Sequence, residues 1–450
     1  MFDKVLIANR GEIACRIATV LRSRGMRSVA VYSEADAAAP HVRLADEAIC
    51  VGPAPVAQSY LNQDAIFAAA RSTGAQAIHP GYGLLSENAA FARRCAAEGL
   101  VFIGPTPEAI EAMGDKAVAR ATAAAAGVPV VPGSGGAITD DEAAAIADGI
   151  GYPVLVKAAA GGGGIGMQVV SKPDRLARSL QTCRDRGAAS FGSDAVYLER
   201  YIESPRHIEV QILFDHHGNG VHLFERECTL QRRHQKVVEE APSAFVQARP
   251  ALRDGLYASA LALGHAIGYR GAGTVEFIVD PDGHHYFIEV NTRLQVEHPV
   301  TEAITGVDLI GWQLDIAAGR PLTLSQAELA IEGAAIECRI YAEDPSKGFL
   351  PRPGTIERFE PPRGEGIRVD AGVAAPQEVT PYYDPMLAKL ITAGRDRGEA
   401  ISRAKSAVSM FVVEPLTTNL ACLATVLEHD DFQAGRYDTG WLERLAKGRV

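Results

Sequence analysis

The first hundred residues alternate short apolar runs with a segment of helical periodicity. The runs "KVLIAN", "SVAVYS", "AQAIHP" and "LVFIGP" each lead into a turn, and "GEIACRIATVLRSRG" has apolar positions at helical spacing. Alternating strands and helices predict a parallel sheet wound with helices, a Rossmann-like α/β fold. The turn after the first run, "NRGE", lacks the glycine fingerprint of a dinucleotide site. The pattern therefore indicates the fold without that nucleotide-binding turn.

Helix boundaries are marked most clearly in "GPTPEAIEAMGDKAVARATAAAAGVPVVPG". Thr106 can cap a first helix, with Pro107 at its first position. Asp115 can cap a second helix that ends at Gly127. Beyond it the patterns predict a compact α+β segment from about 130 to 203, strands around "HIEVQIL" and "GVHLFER", a helix from about 251 to 267 and another near "RGEAISRAKSAVSMF".

The segment "GTVEFIVDPDGHHYFIEVNTR" predicts a hairpin of two strands joined by a turn rich in Asp, Pro and Gly. Period-two alternation predicts one apolar face, made of Val275, Phe277, Val279, Tyr286, Ile288 and Val290. The opposite face carries Glu276, Glu289 and Asn291. Carboxylate and amide oxygens suit Mg²⁺ with its waters and substrate phosphates. Because exposed charge on strands is common, the pair taken alone favours acidic residues on the solvated side of an edge hairpin, and other motifs must decide.

Four consecutive glycines, Gly161–Gly164, follow a strand-like run that carries Lys157. Their spacing with Gly166 satisfies G-x-G-x-x-G, but "MQVVSK" follows as a second strand rather than a helix, which argues against a dinucleotide turn. No Lys-Ser or Lys-Thr follows, which excludes a Walker A loop. Two interpretations stay open: a hairpin flap whose backbone N–H groups cover phosphates, and a flexible hairpin tip.

Two polar segments add cations and further polar groups. "QRRHQKVVEEAP" concentrates basic residues, and "NTRLQVEHPVTE" follows directly on the hairpin; their polar members are Arg232, Arg233, His234, Lys236, Arg293, Gln295, Glu297 and His298. Such clusters are often solvated faces or ion-pair networks. Together with metal-type carboxylates and a glycine flap, they favour phosphoryl transfer by an ATP-dependent ligase or kinase.

Composition narrows the class of protein. A chain of 450 residues, 47% hydrophobic and 22% charged, is long enough for two to four globular domains. Its formal charge of −11 argues against a bulk binder of nucleic acid or of an anionic membrane. The seven cysteines form no C-x-x-C pair and are predicted to be reduced core residues. The chain shows no leader and no 18-residue apolar run, so we expect no membrane span and a cytoplasmic protein.

Seven segments together resemble the biotin carboxylase component of biotin-dependent carboxylases, in the ATP-grasp superfamily. They are "IANRGEIACRI", "AIHPGYGLLSEN", "GDK", "PRHIEVQIL", "RRHQKVVEEAP", "EVNTRLQVEHPVTE" and "YYDPMLAKLI", in order along the whole chain. The resemblance implies an ATP-grasp fold of mixed α/β and α+β class: a Rossmann-like domain at 1–113, a helical linker at 114–130, a mobile glycine-rich lid domain at 131–203 and a catalytic C-terminal domain at 204–450. Within the last, it places the ATP-grasp core to about 320 and a C-terminal part at about 332–440.

The resemblance also implies the reaction, ATP- and bicarbonate-dependent carboxylation of N1′ of biotin through carboxyphosphate. ATP would contact Lys116, Lys157, Gly163, Gly164, Glu199, Arg200, Tyr201, Ile202, His207, Gln231, His234, Glu276 and Glu289. Two Mg²⁺ or Mn²⁺ ions would bind Glu276, Glu289 and Asn291. Bicarbonate would bind Lys236, Arg293, Gln295 and Val296, and biotin would bind Tyr82 and Arg339.

The catalytic residues implied by the resemblance are Arg293, Glu297, Lys236 and Arg339. Glu297 would take the proton of bicarbonate as that anion attacks the γ-phosphate. Arg339 would stabilise enolate-like biotin, and Arg293 the carboxyl intermediate. Two positions depart from the family pattern: Ile165 stands where a basic residue is usual, and Ala160 where a further glycine is common. A lost flap cation weakens phosphate contact or slows closure, so we expect an active enzyme with altered ATP affinity.

The chain has no biotinylated-lysine segment of the A-M-K-M type, so we expect a stand-alone subunit or an excised domain. It would act on a biotin carboxyl carrier protein, with a carboxyltransferase also in trans, and form a homodimer near Arg16. The final acceptor stays open between acetyl-CoA, propionyl-CoA, another acyl-CoA, pyruvate and urea, with "YYDPM" closer to the propionyl-, methylcrotonyl- and urea-type enzymes. Two alternatives are another ATP-grasp ligase that uses an acyl-phosphate and an amine, and a catalytically inactive regulatory subunit.

Overall fold

Five parallel strands in the order β3-β2-β1-β4-β5 form the N-terminal sheet. The computed structural model describes residues 2–158, 166–233 and 235–449. The N-terminal elements are β1 (Lys4–Ile7), α1 (Gly11–Ser23), β2 (Arg27–Ser33), α2 (Pro40–Leu44), β3 (Glu47–Gly52), α3 (Gln63–Thr73), β4 (Ala77–His79), α4 (Ala89–Ala97) and β5 (Val101–Phe102). The wound parallel sheet predicted from the apolar runs is confirmed.

Two helices, α5 (Pro107–Gly114) and α6 (Lys116–Ala125), lead away from this sheet. The Thr106 hydroxyl accepts a hydrogen bond from the Ala109 N–H at 3.2 Å, and Asp115 accepts from Ala117 at 2.9 Å. Both predicted caps are confirmed. Because Asp115 both ends one helix and starts the next, the chain turns there and Lys116 is placed at a helix N-terminus.

A small antiparallel sheet, ordered β7-β6-β8, follows. Its elements are α7 (Asp140–Ile150), β6 (Val154–Ala158), β7 (Met167–Val170), α8 (Leu176–Phe191) and β8 (Val196–Arg200). Val154, Val156 and Val170 pack with the two helices as one apolar core. The predicted hairpin of two strands around the glycine run is confirmed, while the run itself lies at 159–165, outside the described residues. The mobility of this segment stays a prediction.

An eight-stranded antiparallel sheet, ordered β13-β12-β9-β10-β11-β14-β21-β19, forms the centre of the molecule. From residue 206 to 317 the elements are β9 (Arg206–Phe214), β10 (Gly220–Arg232), β11 (Gln235–Ala241), α9 (Ala244–Gln247), α10 (Pro250–Ala266), β12 (Gly271–Val279), β13 (His285–Asn291), α11 (His298–Thr305) and α12 (Leu309–Ala317). From residue 334 to 394 they are β14 (Ala334–Tyr341), β15 (Glu343–Asp344), β16 (Leu350–Pro351), β17 (Gly354–Ile356), β18 (Arg358–Glu360), β19 (Ile367–Ala371), β20 (Gln377–Val379) and β21 (Met386–Gly394). The last elements are α13 (Arg397–Met410), β22 (Val412–Glu414), α14 (Leu420–Glu428), α15 (Asp430–Gln433) and α16 (Trp441–Ala446). Short 3₁₀ turns lie at Glu34–Asp36, Val56–Gln58, Pro173–Arg175 and Pro345–Lys347.

Side chains of the central sheet separate by the strand period. On β9, Ile208, Val210 and Ile212 pack against α10 in an apolar core, whereas Glu209 and Gln211 point to the other face. That second face is polar and buried because other parts of the chain cover it. The fold thus brings charged side chains into the interior along one face of the sheet.

The register of the β12–β13 hairpin corrects one prediction. Glu276 pairs with Glu289, but Phe277 pairs with Phe287, so Ile288 is an extra residue in a β-bulge. As a result Phe287, rather than Tyr286 or Ile288, enters the core beside Val290. Ile288 is 39% exposed. The apolar face predicted by strict alternation is therefore wrong at Tyr286 and Ile288, since a bulge reverses the facing of the residues beyond it.

All seven cysteines are free thiols. Cys95, Cys183, Cys228 and Cys338 are buried, as predicted, but Cys50 is exposed, so the prediction of core cysteines is wrong there. Within residues 2–158, 166–233 and 235–449, no helix combines the length and the apolar character needed to cross a bilayer.

Candidate active site

A cleft of about 1810 Å³ is lined by residues of the N-terminal domain, of the small antiparallel sheet and of the eight-stranded sheet. The predicted site residues that line it are Tyr82, Lys116, Lys157, Glu199, Arg200, Tyr201, Ile202, His207, Gln231, Lys236, Glu276, Glu289, Asn291, Arg293, Gln295, Val296 and Arg339. Glu297 is fully buried in contact with two of them. Gly163, Gly164 and His234 lie outside the described residues, as do Ala160 and Ile165. The structure thus brings the other predicted residues together, and their individual roles stay predictions.

The hairpin carboxylates lie on the cleft side of the central sheet. Glu276 Oε1 accepts hydrogen bonds from Asn291 Nδ2 at 2.7 Å and from Gln295 Nε2 at 3.0 Å. Its other oxygen lies 3.0 Å from His207 Nε2. Burial alone would raise the pKa of Glu276, but the charges of Lys236 and His207 outweigh it and lower that pKa. The Glu276 carboxylate is therefore ionised throughout the neutral pH range.

Glu289 stands directly opposite Glu276 in the hairpin register. Burial and, next, the charge of Glu276 raise the pKa of Glu289. Two neighbouring carboxylates in a buried setting repel each other, and a divalent cation relieves that repulsion while accepting their oxygens as ligands. This arrangement fits the predicted magnesium site.

Lys236, on β11, lies among three carboxylates. Its Nζ is 2.6 Å from Glu209 Oε2, 2.9 Å from Glu276 Oε1 and 2.6 Å from Glu297 Oε1. Burial alone would lower the pKa of Lys236, but these three charges raise it well above its usual value. The ammonium group therefore stays charged and sets the positions of all three carboxylates.

Glu297 occupies the position just before α11, between two cations. Its Oε2 accepts a hydrogen bond from Arg339 Nη2 at 3.0 Å, opposite the Lys236 contact. Burial would raise the pKa of Glu297, yet Lys236 and Arg339 hold it well below its usual range. The side chain is an ionised acceptor in a water-excluded position. Such a carboxylate can take a proton from a substrate that displaces one of its cationic partners.

Arg339, on β14, has its guanidinium shared between two buried acids. Its Nε donates to Glu239 Oε1 at 2.6 Å, and its Nη2 reaches Glu297. Tyr82 lines the same end of the cleft, and its hydroxyl donates to Glu12. Lys389 joins these groups from beneath, 3.2 Å from Glu12 Oε1 and 2.8 Å from the Val296 carbonyl. Charged groups from both ends of the chain therefore converge at this end of the cleft.

The opposite end of the cleft is formed by the small sheet and its surroundings. Lys157, on β6, forms an ion pair with Glu199 on β8, and Arg120 Nη1 lies 2.9 Å from Glu199 Oε1. Gln231 Nε2 lies 2.8 Å from His207 Nδ1, which links this end to the hairpin carboxylates. Cationic and hydrogen-bonding groups along the cleft are suited to an extended polyanion.

Several residues of the site were missed by sequence reasoning: Glu12, Glu87, Arg120, Glu209, Arg226, Cys228, Glu239, Glu337 and Lys389. Arg226 is completely buried and contacts Glu209, and the Cys228 thiol lies 3.7 Å from Glu297 Oε1. The alternation that identified Glu276 is also present in "HIEVQIL", where it places Glu209 on the polar face. Glu12, Glu87, Glu239 and Lys389 stand inside segments that carry the family resemblance, but no periodicity within those segments shows that packing brings their side chains to the cleft. Arg120, Arg226, Cys228 and Glu337 are likewise brought in by long-range packing.

Three family models match the chain in order along its length. They are "Biotin carboxylase, N-terminal domain" at residues 1–110, "Carbamoyl-phosphate synthase L chain, ATP binding domain" at 115–325 and "Biotin carboxylase C-terminal domain" at 337–444. The chain is 53% identical over 448 residues to the biotin carboxylase of Halalkalibacterium halodurans, covering 99% of this chain and 98% of that protein.

Two further proteins extend the comparison. The mitochondrial propionyl-CoA carboxylase alpha chain of Sus scrofa is 50% identical over 98% of this chain, which spans only 60% of that protein. Among solved structures, the biotin carboxylase domain dimer of Hydrogenobacter thermophilus 2-oxoglutarate carboxylase, in complex with MgADP, ADP and bicarbonate, matches with a TM-score of 0.91 and 47% identity. That match covers 99% of this chain and 98% of the other.

Proposed function

The chain belongs to the biotin carboxylase family, and we propose that its cleft carboxylates N1′ of biotin at the expense of ATP and bicarbonate. One observation carries the proposal: Glu297 is completely buried and held between Lys236 and Arg339 at the closed end of the cleft. An ionised base between two cations can accept a proton and orient anions at the same point. Phosphoryl transfer from ATP to bicarbonate, and the later transfer of the carboxyl group to biotin, both require this combination.

ATP binds along the cleft, with its phosphates toward the hairpin carboxylates. Lys116 and Lys157 supply positive charge, and His207 and Gln231 lie between the two ends. The segment from Glu199 to Ile202 lines the wall beside the small sheet and is assigned to the adenine end. The N–H groups of Arg200 and Tyr201 donate to the Pro132 and Pro153 carbonyls at 2.8 Å and 3.0 Å, and these bonds hold the wall of the cleft in place at that end.

Glu276, Glu289 and Asn291 hold the divalent ions. Their oxygens form a hard-donor set of the type that Mg²⁺ prefers, and the paired carboxylates need a cation for charge balance. When bound, Mg²⁺ supplies neutralisation of charge on the ATP phosphates. Lys236 and His207, which contact Glu276 in the structure, keep that carboxylate ionised and aligned.

Bicarbonate binds where Lys236 and Arg293 approach the loop that carries Gln295 and Val296. Glu297 accepts the bicarbonate proton while the anion attacks the γ-phosphate, which yields carboxyphosphate and ADP. The low pKa of Glu297 ensures that the acceptor is ionised before substrate arrives. Arg293 then stabilises the negative charge of the carboxyl group.

Biotin binds at the end formed by Tyr82 and Arg339. Carboxyphosphate breaks down to CO₂ and phosphate, and the phosphate takes the N1′ proton. Arg339 stabilises the resulting enolate-like ring, whose N1′ then attacks CO₂ to form carboxybiotin. Arg339 is suited to this role because burial beside Glu239 and Glu297 fixes its planar guanidinium. Exclusion of water at this buried end protects the reactive intermediate.

In the cell, the biotin that is carboxylated is attached to a carrier protein. A separate carboxyltransferase then uses the carboxybiotin, and this subunit assembles as a homodimer. Support for the dimer comes from the Hydrogenobacter thermophilus domain dimer that this chain resembles. Arg16, in the segment expected near that interface, lies 3.1 Å from Glu302 and 3.5 Å from Asp308 within the chain. The acyl acceptor stays open, because relatives of both biotin carboxylase and propionyl-CoA carboxylase type match.

Initial rates of ADP formation test the proposal. The rate is expected to depend on bicarbonate and to rise on addition of free biotin. ADP formation that depends instead on an amine acceptor would favour another ATP-grasp ligase. Absence of ATP cleavage under all of these conditions would favour a non-catalytic subunit.

A further inference from the structure

Arg293, the proposed bicarbonate residue, has nearly all of its donors committed to protein acceptors. Its Nη1 donates to the Gln295 side chain at 2.9 Å and to the Leu294 carbonyl at 3.2 Å. Its Nη2 donates to Asn291 Oδ1 at 2.8 Å. A guanidinium has five N–H donors. With Nε also engaged, one N–H of Nη2 remains without a partner in the described part of the chain, so the direction of that single donor depends on how the guanidinium is held.

Glu87 supplies the contact at Nε. Its Oε2 accepts from Arg293 Nε at 2.9 Å, while its Oε1 accepts from the Thr292 backbone N–H at 3.0 Å and lies 3.3 Å from the Thr292 hydroxyl. One carboxylate thus holds two consecutive residues of the active-site loop. The Glu87 carboxylate is charged, whereas the other acceptors of Arg293 are a carbonyl and two amide oxygens. Hydrogen bonds to a charged acceptor are the stronger ones.

The backbone that carries Glu87 is itself fixed. Asn9 Nδ2 donates to the carbonyls of Pro80 and Tyr82, both at 2.7 Å. Gly81 has a φ of +63°, and a Cβ there would lie 2.9 Å from the Asn9 amide. At the other end of this segment, the Asn88 side chain caps α4 by accepting from Phe91. The backbone on both sides of Glu87 is thus held, while its side chain is 40% exposed and is kept in place by its contacts with Thr292 and Arg293.

This same segment, residues 80–88, also carries Tyr82, proposed to contact biotin. Glu87 therefore connects the biotin end of the site to the arginine that holds bicarbonate, from a different domain of the fold. Nothing in the reaction requires Glu87 to touch a substrate. Its position is that of a group that acts through its neighbour.

We propose that Glu87 is a positioning residue, which orients Arg293 so that its free Nη2 donor faces bicarbonate. The inference rests on the proposed function of the cleft. Without the Glu87 carboxylate, the guanidinium keeps its charge but loses the contact that fixes its rotation about the side chain. Bicarbonate binding and the step that forms carboxyphosphate should then suffer, whereas ATP binding should not.

Steady-state kinetics of the full chain with free biotin test the proposal. For Glu87→Gln we expect kcat/KM for bicarbonate to fall about 10- to 100-fold, because small misplacements of a binding group have effects of that size. The KM for ATP and the melting temperature should stay close to wild type. Glu87→Asp, which keeps the charge on a shorter chain, should recover part of the loss. Glu98→Gln is the matched control, since Glu98 pairs with Arg71 and Arg94 on the surface of the same domain.

A double-mutant cycle separates positioning from a general structural role. If Glu87 acts through Arg293, Glu87→Gln should change little in an Arg293→Lys background, since Lys lacks the Nε donor. An undiminished effect in that background, or a wild-type KM for bicarbonate in Glu87→Gln, would overturn the inference. A wild-type chain without bicarbonate-dependent ATP cleavage would instead overturn the proposed function itself.

Discussion

Glu276 and Glu289 face each other as a directly paired couple across the β12–β13 hairpin. Burial favours the protonated form of both carboxyls. Lys236 and His207 reverse this for Glu276, whereas the charge of Glu276 adds to it for Glu289. Glu276 therefore has cationic partners in the protein, whereas ionisation of Glu289 requires a further cation. This is the electrostatic reason for a metal ion beside the pair.

The first prediction concerns that metal. Glu289→Gln removes the carboxylate with the raised pKa, and we expect the Mg²⁺ concentration for half-maximal ATP cleavage to rise about 10- to 100-fold. A Mg²⁺ titration at fixed ATP measures it. Glu378→Gln, at an exposed position on β20, is the control. Unchanged Mg²⁺ dependence in Glu289→Gln would place the ion elsewhere.

The second prediction concerns the buried ammonium group. Lys236→Met leaves Glu209, Glu276 and Glu297 without the charge that they share, so we expect ATP cleavage to be lost. The free energy of unfolding should fall by about 3 kcal/mol, as for other broken buried ion pairs. Urea denaturation measures it, with exposed Lys447→Met as the control. A stable variant would show that water replaces the ammonium group at little cost.

The third prediction separates the two halves of the reaction. Arg339→Lys keeps the charge but loses the fork that spans Glu239 and Glu297, so biotin carboxylation should fall about 100-fold. Bicarbonate-dependent ATP cleavage without biotin should fall much less. Arg358→Lys, which removes the same kind of fork from a surface pair with Glu360, is the control. Equal losses of both activities would contradict a role confined to biotin.

The fourth prediction uses the buried acids beneath Arg339. Glu239 and Glu337 pair across β11 and β14, and both are completely buried. Burial raises the pKa of Glu239 to about 7, and the charge of Glu297 adds to this effect while the charge of Arg339 opposes it. Burial also raises the pKa of Glu337 well above its usual value, although the charge of Lys389 opposes this. Between about pH 4.5 and about pH 7, the folded protein therefore holds a proton on this pair that the unfolded chain has released.

An acid with a raised folded-state pKa is neutral for stability at low pH and destabilising once it ionises. The contribution of this pair to the free energy of unfolding should thus fall as pH rises from about 4.5 through about 7, whereas buried histidines with a lowered pKa, such as His41 and His79, contribute in the opposite direction. Glu337→Gln, which resembles the protonated acid, should therefore make the free energy of unfolding rise more steeply, or fall less, with pH than it does in the wild type. Chemical denaturation of both proteins across this range measures the difference. Parallel curves would show that the Glu239–Glu337 pair holds no proton at neutral pH.

Much of this molecule could be predicted from its sequence. The apolar alternation identified the wound sheet and placed Glu276 and Glu289 on one face, and the motif "EVNTRLQVEHPVTE" pointed to the family. The ATP-grasp fold class is confirmed by the neighbouring solved structures. Alternation failed at Ile288, because a bulge depends on the register of two strands and leaves no mark on either one.

Long-range partners formed the second gap. Glu87 lies 206 positions from Arg293 along the chain, so no local periodicity relates them. Glu209 is a different case, since the alternation of its own strand contains the signal. The domain boundaries, the roles of single site residues, the cytoplasmic location and the effect of Ile165 stay predictions.

Transfer of label from ¹³C-bicarbonate to biotin tests the central claim most directly. The purified chain, with MgATP and free biotin, should form ¹³C-carboxybiotin detectable by mass spectrometry, and Glu297→Gln should abolish it because that variant lacks the ionised acceptor. ADP release by the wild-type chain with no labelled biotin, under conditions where carboxybiotin is stable, would contradict the assignment of this cleft to biotin carboxylation.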